Sequence, residues 1–446
     1  MNINILYISI FLLIVLVYFN LKENYKYLYL CICFFSLFLI INNFNWMFLY
    51  YSNWKISIIL FIIILWYIIS KFKKDLTFEE WILTLTTLIG SIVIITCDHL
   101  FILYLGLELQ TFPIFILIAK NKYWLKSSEA SLKYFMLGAL SSGIFLLGLT
   151  IIFLNGCSLN IEDFLFHYFY KKKILQLSFF LIILSLFFKI NMFPLHFWIP
   201  DIYEGSSWEV IGLLGTIPKI SIVYLLIQFK ELGDIFIICS IMSIIIGSLG
   251  ALNQTKLKRL LAYSGISHIG FIILILSVHN QKNLVINNIY LFIYIINLLA
   301  IIILISYLSL SNHSFILELC NNQFINKIIG FSWIILILSM AGIPPLSGFI
   351  SKWLVLLTLV EENFMFSSII CILFSAVSAS FYLRLIVIIY FQKSSPFFVW
   401  KYILNMNRYL HQNIYFLGLF TFFTLFLICK PFPLLLFFNS NFNLIT

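Results

Sequence analysis

The 446-residue chain is 63% hydrophobic, 19% aromatic and only 10% charged, with a formal net charge of +10. An ordinary soluble domain carries about 25% charged residues, so this chain has too few polar side chains to cover a soluble fold of its size. The composition excludes a soluble enzyme, a nucleic-acid binder and a secreted disulfide scaffold, and leaves a polytopic membrane protein.

In chain order, apolar runs occupy roughly residues 3–20, 26–49, 54–70, 81–97, 99–119, 131–154, 174–199, 208–228, 232–252, 257–278, 284–309, 327–360, 366–391 and 413–438. At about 20 residues per bilayer crossing, these read as about 14 transmembrane helices. In lipid only helices or closed barrels satisfy every backbone group, and the two-residue alternation of a barrel is absent. The first run, MNINILYISIFLLIVLVYF, has no basic leader and no small-residue cleavage site, and reads as a retained span.

Most basic residues sit in short clusters between the apolar runs, among them Lys71, Lys73 and Lys74; Lys120, Lys122 and Lys126; and Lys256, Lys258 and Arg259. They read as juxtamembrane topology anchors. Loops after odd-numbered spans hold 16 Lys and Arg against 6 in the even loops, which sets odd loops on the cytoplasmic-equivalent side and both termini opposite. The eight cysteines are scattered with no CxxC, so metal and disulfide roles are not expected.

Two segments are longer than one crossing requires, and both contain proline. The seventh, LSLFFKINMFPLHFWIP, is broken near Pro194; the twelfth, ILSMAGIPPLSGFISKWLVLL, is broken at Pro344 and Pro345. Proline removes a backbone donor and clashes with the preceding turn. Interrupted helices in matching positions of two halves point to a transport site at the midplane. Spans 4–8 (residues 81–228) and 9–13 (residues 231–391) hold five helices each. An odd number inverts the second set, which predicts an inverted repeat flanked by helices in 1–70 and 413–438. A pair of unrelated proline kinks is the bland reading.

An ionisable side chain at the bilayer centre costs about 2.5–3.5 kcal/mol on insertion scales, so it faces the protein interior and is a functional candidate. Glu108 is the one acidic residue near a span centre. Lys189 precedes the break in span 7, Lys219 is central in span 8 directly after Pro218, His268 is central in span 10, and Lys352 follows the double proline of span 12. His196, just past the first break, and Arg384, nearer a span end, are secondary candidates. Structural readings stand beside the functional ones: a Glu108–Lys189 ion pair, a core histidine at 268, a helix cap at His196 and a snorkelling Arg384. Asp201, Glu204 and Glu209 are expected in a solvated loop at the exposed end of spans 7 and 8. Glu108 to His268, Lys189 to Lys352 and Lys219 to Arg384 are 160, 163 and 165 residues apart, an offset that supports the repeat, whereas Pro194 to Pro344 is only 150.

Four stretches carry a resemblance: SSEASLKYFMLGALSSGIFLLG (127–148), FKINMFPLHFWIPDIYEG (188–205), LNQTKLKRLLAYSGISHIGF (252–271) and AGIPPLSGFISKWLV (341–355). The sequence resembles the subunit 2 family of respiratory NADH dehydrogenase, complex I, one of the antiporter-like membrane subunits related to multisubunit cation/proton antiporters. SSWEV (206–210) departs from the family pattern and adds Glu209. The resemblance implies a fourteen-helix fold with broken helices 7 and 12. It implies that Glu108, Lys189, Lys219, His268 and Lys352 lie on a polar axis through the membrane arm. It also implies that NADH, FMN, the iron–sulfur clusters and ubiquinone bind other subunits, so the chain belongs to an enzyme without holding a redox site or cofactor of its own.

The expected function is proton translocation through a Glu/Lys/His relay, driven by redox chemistry elsewhere, in contact with other membrane-arm subunits and the lipid bilayer. Two alternatives stay open: a subunit of a cation/proton antiporter, and a membrane-arm subunit that transmits conformational change without conducting protons. Abundant Phe, Tyr, Ile, Asn and Lys, all with A/T-rich codons, point to an organelle-encoded, multi-pass protein of the mitochondrial inner membrane, with its termini on the intermembrane-space side.

Overall fold

The computed structural model describes residues 53–71, 77–121, 123–161, 163, 173–229, 233–278, 281–307, 315–319, 327–392 and 411–429. The expected spans at 3–20 and 26–49, and the end of the last one, lie outside the described residues. Within them the chain is helical: α1 (Asn53–Lys71), α2 (Phe78–Thr96), α3 (Leu100–Ala119), α4 (Leu125–Leu154), α5 (Lys173–Ile190), α6 (Trp198–Gly205), α7 (Trp208–Gln228), α8 (Gly233–Leu252), α9 (Leu257–Leu276), α10 (Gln281–Tyr307), α11 (Lys327–Ala341), α12 (Ser347–Glu361), α13 (Met365–Phe391) and α14 (His411–Cys429). Eight of these are long and apolar enough to cross a bilayer.

The seventh and twelfth apolar segments each divide into two helices, α5–α6 and α11–α12, at their prolines. Each break opens with a left-handed residue, Asn191 (φ 76°) and Gly342 (φ 78°), and each has a proline three residues later, Pro194 and Pro345. Pro113 in α3 and Pro218 in α7 leave their helices continuous. Pro218 has no N–H for the carbonyl of Leu214, one turn earlier.

Packing sorts the helices into inner and outer ones. α7 is buried along its whole length, and α9 and α10 nearly so. α4 and α13 turn long apolar faces outward, with Leu132, Met136, Leu140 and Leu147 on one and Ile369, Leu373, Leu383 and Val387 on the other. α2 packs on α3, α3 on α4, α4 on both α5 and α6, and α7 on α2 and α5. Six positions along, α8 packs on α9, α9 on α10, α10 on both α11 and α12, and α13 on α8 and α11. Ahead of α3, His99 forms an isolated antiparallel bridge with Asn160, beyond α4; ahead of α9, Lys256 does the same with Phe315, beyond α10.

Candidate functional site

The first break sets the site's first charge. Lys189 is in the last turn of α5, 9% exposed, and its Nζ has no hydrogen-bond partner among the described residues. The carboxylate that acts on it through space is Glu108 on α3. Glu108 Oε2 accepts from Thr111 Oγ1 at 3.1 Å, while Oε1 is buried with no hydrogen-bond partner among the described residues. The two side chains are electrostatic neighbours that form no direct ion pair, so the alternative reading of a structural ion pair between them is not met.

The second charge sits on the most buried helix. Lys219, 3% exposed on α7, donates to Tyr294 Oη at 2.9 Å, and its ammonium lies 5.2 Å from the centroid of the same ring. The glycine at 265 keeps this meeting point open, since a Cβ there would lie 3.2 Å from Tyr294 Oη and 3.3 Å from Lys219 Nζ. His268 follows on the same helix, α9, buried, with its ring 5.1 Å from that of Tyr294. Its Nδ1 is 2.9 Å from Tyr290 Oη and its Nε2 3.4 Å from Tyr382 Oη. Both Lys219 and Lys352 lie within electrostatic reach of the imidazole.

Lys352 reaches back across the second break. From α12 it donates to the carbonyl of Ala341, the last residue of α11, at 2.7 Å, and approaches Ser378 Oγ of α13 at 3.4 Å. Its Nζ lies 5.7 Å from the ring of Phe271, which stacks on Tyr290. The structure thus brings Lys219, His268 and Lys352 around one cluster of tyrosines, with Glu108 and Lys189 at the first break.

The secondary candidates are elsewhere. His196 is buried between the rings of Phe193 and Phe197 within the break itself. Arg384 is exposed and donates to the carbonyl of Leu252 at the end of α8, so it caps a helix and does not face the cluster. Glu209 lines a cavity of ≈ 140 Å³ with Trp66, Glu80 and Lys120, at the end where α2 and α7 begin.

Two expectations are overturned. Glu204, read as part of a solvated loop, is in α6 and only 7% exposed. Arg259 pairs with it at 2.5 Å, and Lys126 and Lys256 pair with it as well. Asp201, one turn earlier, pairs with Lys133 and Arg259 at 2.7 and 2.8 Å. Burial alone would push Glu204 up, but hydrogen bonds from Lys126 and Lys256 and the Arg259 charge outweigh it and hold its carboxyl at about 2. Lys258 is also no exposed anchor: it is 2% exposed, between the rings of Trp124 and Trp208, and donates to the Ser206 carbonyl. This knot ties α6, which follows the Lys189 break, to α4 and to the start of the helix that carries His268.

Sequence reasoning missed the tyrosines at 290, 294 and 382. The available signal is spacing: Tyr290 and Tyr294 are four apart on α10 and share a face, as do Ser378 and Tyr382 on α13.

The profile of the family described as NADH:quinone oxidoreductase/Mrp antiporter, TM, matches residues 97–381, an interval that contains all five primary candidates. The chain is 35% identical over 327 residues to NADH-ubiquinone oxidoreductase chain 2 of Metridium senile, covering 71% of this chain and 84% of the relative. It is 34% identical over 336 residues to NADH-quinone oxidoreductase subunit N of Pelagibacter ubique, covering 72% and 71%. In fold it resembles a chain of respiratory complex I from Thermus thermophilus, with a TM-score of 0.69 at 24% identity over 83% of this chain and 84% of that one. Buried lysines on broken and central helices, a matching profile over most of the helical bundle and two relatives aligned over more than two thirds of their length agree: the chain belongs to the NADH:quinone oxidoreductase/Mrp antiporter family of transmembrane subunits.

Proposed function

We propose that this chain is a core membrane-arm subunit of a proton-pumping NADH:quinone oxidoreductase and that it moves protons through Glu108, Lys189, Lys219, His268 and Lys352. The observation that carries the reading is Lys219, a cation at the middle of a helix enclosed by the other helices of the bundle, joined through Tyr294 to the surroundings of His268. Nothing in the reading asks this chain to oxidise or reduce. NADH, FMN, iron–sulfur clusters and ubiquinone belong to other subunits, and redox energy arrives from them.

The chemistry is a charge switch. Driving a proton against about 150–200 mV costs about 3.5–4.6 kcal/mol. Two unit charges about 4 Å apart interact by about 4 kcal/mol at an effective dielectric of 20. Moving Glu108 toward or away from Lys189 is therefore large enough to load and unload that lysine, and the change passes to Lys219 as a repulsion relieved or imposed.

The same reading extends to architecture. The packing order and the two bridges ahead of α3 and α9 support two inverted units at 81–228 and 231–391, within fourteen spans. The left-handed residues and prolines of the two breaks are each 151 residues apart, which supports an alignment by the breaks in place of the 163-residue offset of the lysines. We place the odd loops on the matrix side of a mitochondrial inner membrane, both termini on the intermembrane-space side, the gene in the organelle, and other antiporter-like subunits beside the chain.

The test is proton transport in proteoliposomes holding the intact complex. Lys219→Ala and Glu108→Gln are expected to lower the protons carried per electron; an unchanged ratio in assembled variants overturns the relay and leaves the conformational-transmission reading. Purification without an NADH-oxidising flavoprotein favours the antiporter reading.

A further inference from the structure

Two helices bring hydroxyls in pairs to the space between Lys219 and Lys352. α10 carries Tyr290 and Tyr294, and α13 carries Ser378 and Tyr382, each pair four residues apart and so on one face. Tyr290, Tyr294 and Tyr382 are 1–3% exposed and Ser378 is 4% exposed. A buried hydroxyl costs free energy unless it is hydrogen-bonded, and each of these four sits on one of the buried ionisable groups. Tyr294 Oη accepts from Lys219 at 2.9 Å. Tyr290 and Tyr382 take the two opposite nitrogens of His268. Ser378, one turn from Tyr382, faces Lys352.

We propose that these hydroxyls are relay residues: Tyr294 takes protons between Lys219 and the His268 cluster, and Tyr382 with Ser378 takes them between His268 and Lys352. The proposal rests on the translocation reading above and adds to it the groups that close the distance between its charged members.

The chemistry balances without a further reactant. Lys219 gives a proton to the Tyr294 oxygen as the proton already there leaves on the other side, so the hydroxyl is neutral before and after. Neutral imidazole accepts on one nitrogen and donates from the other. His268, with a hydroxyl at each nitrogen, can therefore take a proton on the Tyr290 side and release one on the Tyr382 side, or the reverse. The rings of Tyr294 and His268 are in contact, with centroids 5.1 Å apart, and one bridging water would complete the step between their polar atoms. Aromatic rings elsewhere around the cluster, such as Phe271 under Lys352, offer no such step, so the hydroxyls define the route.

The test compares Tyr294→Phe, Ser378→Ala and Lys219→Ala with the parent, each as the intact complex in proteoliposomes. Phe and Ala each remove one oxygen and keep the packing, so two variants on two helices guard against a failure of either to assemble. The readouts are protons carried per electron and the ratio of transport rates in H2O and D2O. The expected result is that Tyr294→Phe lowers the proton-to-electron ratio as far as Lys219→Ala does, and that Ser378→Ala changes the isotope ratio. If both hydroxyl variants match the parent while Lys219→Ala is impaired, the hydroxyl route is overturned and the relay reading survives. If Lys219→Ala also matches the parent, both are overturned.

Discussion

At the first break Lys189 stands two residues before the left-handed Asn191, at the end of its half-helix, and no group among the described residues bonds its ammonium. At the second, Lys352 stands ten residues after the left-handed Gly342 and reaches back to the carbonyl of Ala341. A helix end leaves carbonyls without partners and carries partial negative charge. Lys352 uses that end; Lys189, placed on the equivalent end, uses no carbonyl and answers to Glu108. The same backbone device therefore holds one anchored cation and one whose charge is free to be switched. Even the break residues fit this division. At 342 the φ of 78° disfavours any side chain, and a Cβ would also crowd Lys352 Cδ at 2.7 Å, so glycine suits both the backbone and the lysine. Position 191 tolerates asparagine, the side chain that most readily adopts the left-handed region after glycine.

The comparison breaks most violently at the backbone. A Cβ on Gly348 would lie 1.7 Å from the Ser339 carbonyl oxygen, across the second break. Gly348→Ala is expected to cost about 3 kcal/mol or more, seen as loss of assembled complex on native gels.

Next in size is the knot that fastens the first break. Glu204→Gln removes the anion shared by Lys126, Lys256 and Arg259, and breaking a buried pair costs about 3–5 kcal/mol. Half-exposed lysines take the lower end of that range. The sign with pH follows from a folded carboxyl held at about 2, below its value of about 4.3 in an unfolded chain. The stabilisation is complete above about pH 5 and is lost as pH falls from there toward 2. Thermal midpoints of parent and Glu204→Gln complexes should therefore differ by a constant amount from pH 8 to 5 and converge below it.

The smallest effect discriminates between the lysines themselves. Lys352→Met strands the Ala341 carbonyl and is expected to cost about 1–3 kcal/mol. Lys189→Met relieves the burial of an unbonded cation but leaves Glu108 without its electrostatic neighbour, so the two effects offset and the net change is expected to stay below about 1 kcal/mol. Thermal midpoints of the two complexes should move in different amounts, although both lose proton transport. Equal shifts would remove the distinction between an anchored and a switchable charge.

Sequence carried the helices and the breaks far because apolar runs and prolines act locally. It singled out Glu108, Lys189, Lys219, His268 and Lys352 as candidates because charge in lipid is conspicuous. It failed where meaning depends on what packs from far along the chain. Glu204 looked like a loop acid because its partners Lys126 and Lys256 are 78 and 52 residues away. Tyr294 looked like one of 24 tyrosines because its hydroxyl meets Lys219 only in three dimensions. Lys258 looked like a surface anchor because its position at a helix start hides the two indoles that cover it. Lys189 and Lys352 stand on opposite sides of their breaks, which the near-constant offset of the charged pairs did not reveal.

The 75-residue separation of Lys219 and Tyr294 also sets a timetable for biogenesis. Translation at about 5–20 residues per second delivers the tyrosine about 4–15 s after the lysine. Through that interval α7 is a newborn hydrophobic segment with an ammonium at its centre and no hydroxyl to receive it. The helices that later enclose it from the N-terminal side, α1, α2, α3 and α5, are already made. They are the surfaces against which α7 can bury that ammonium before α10 exists.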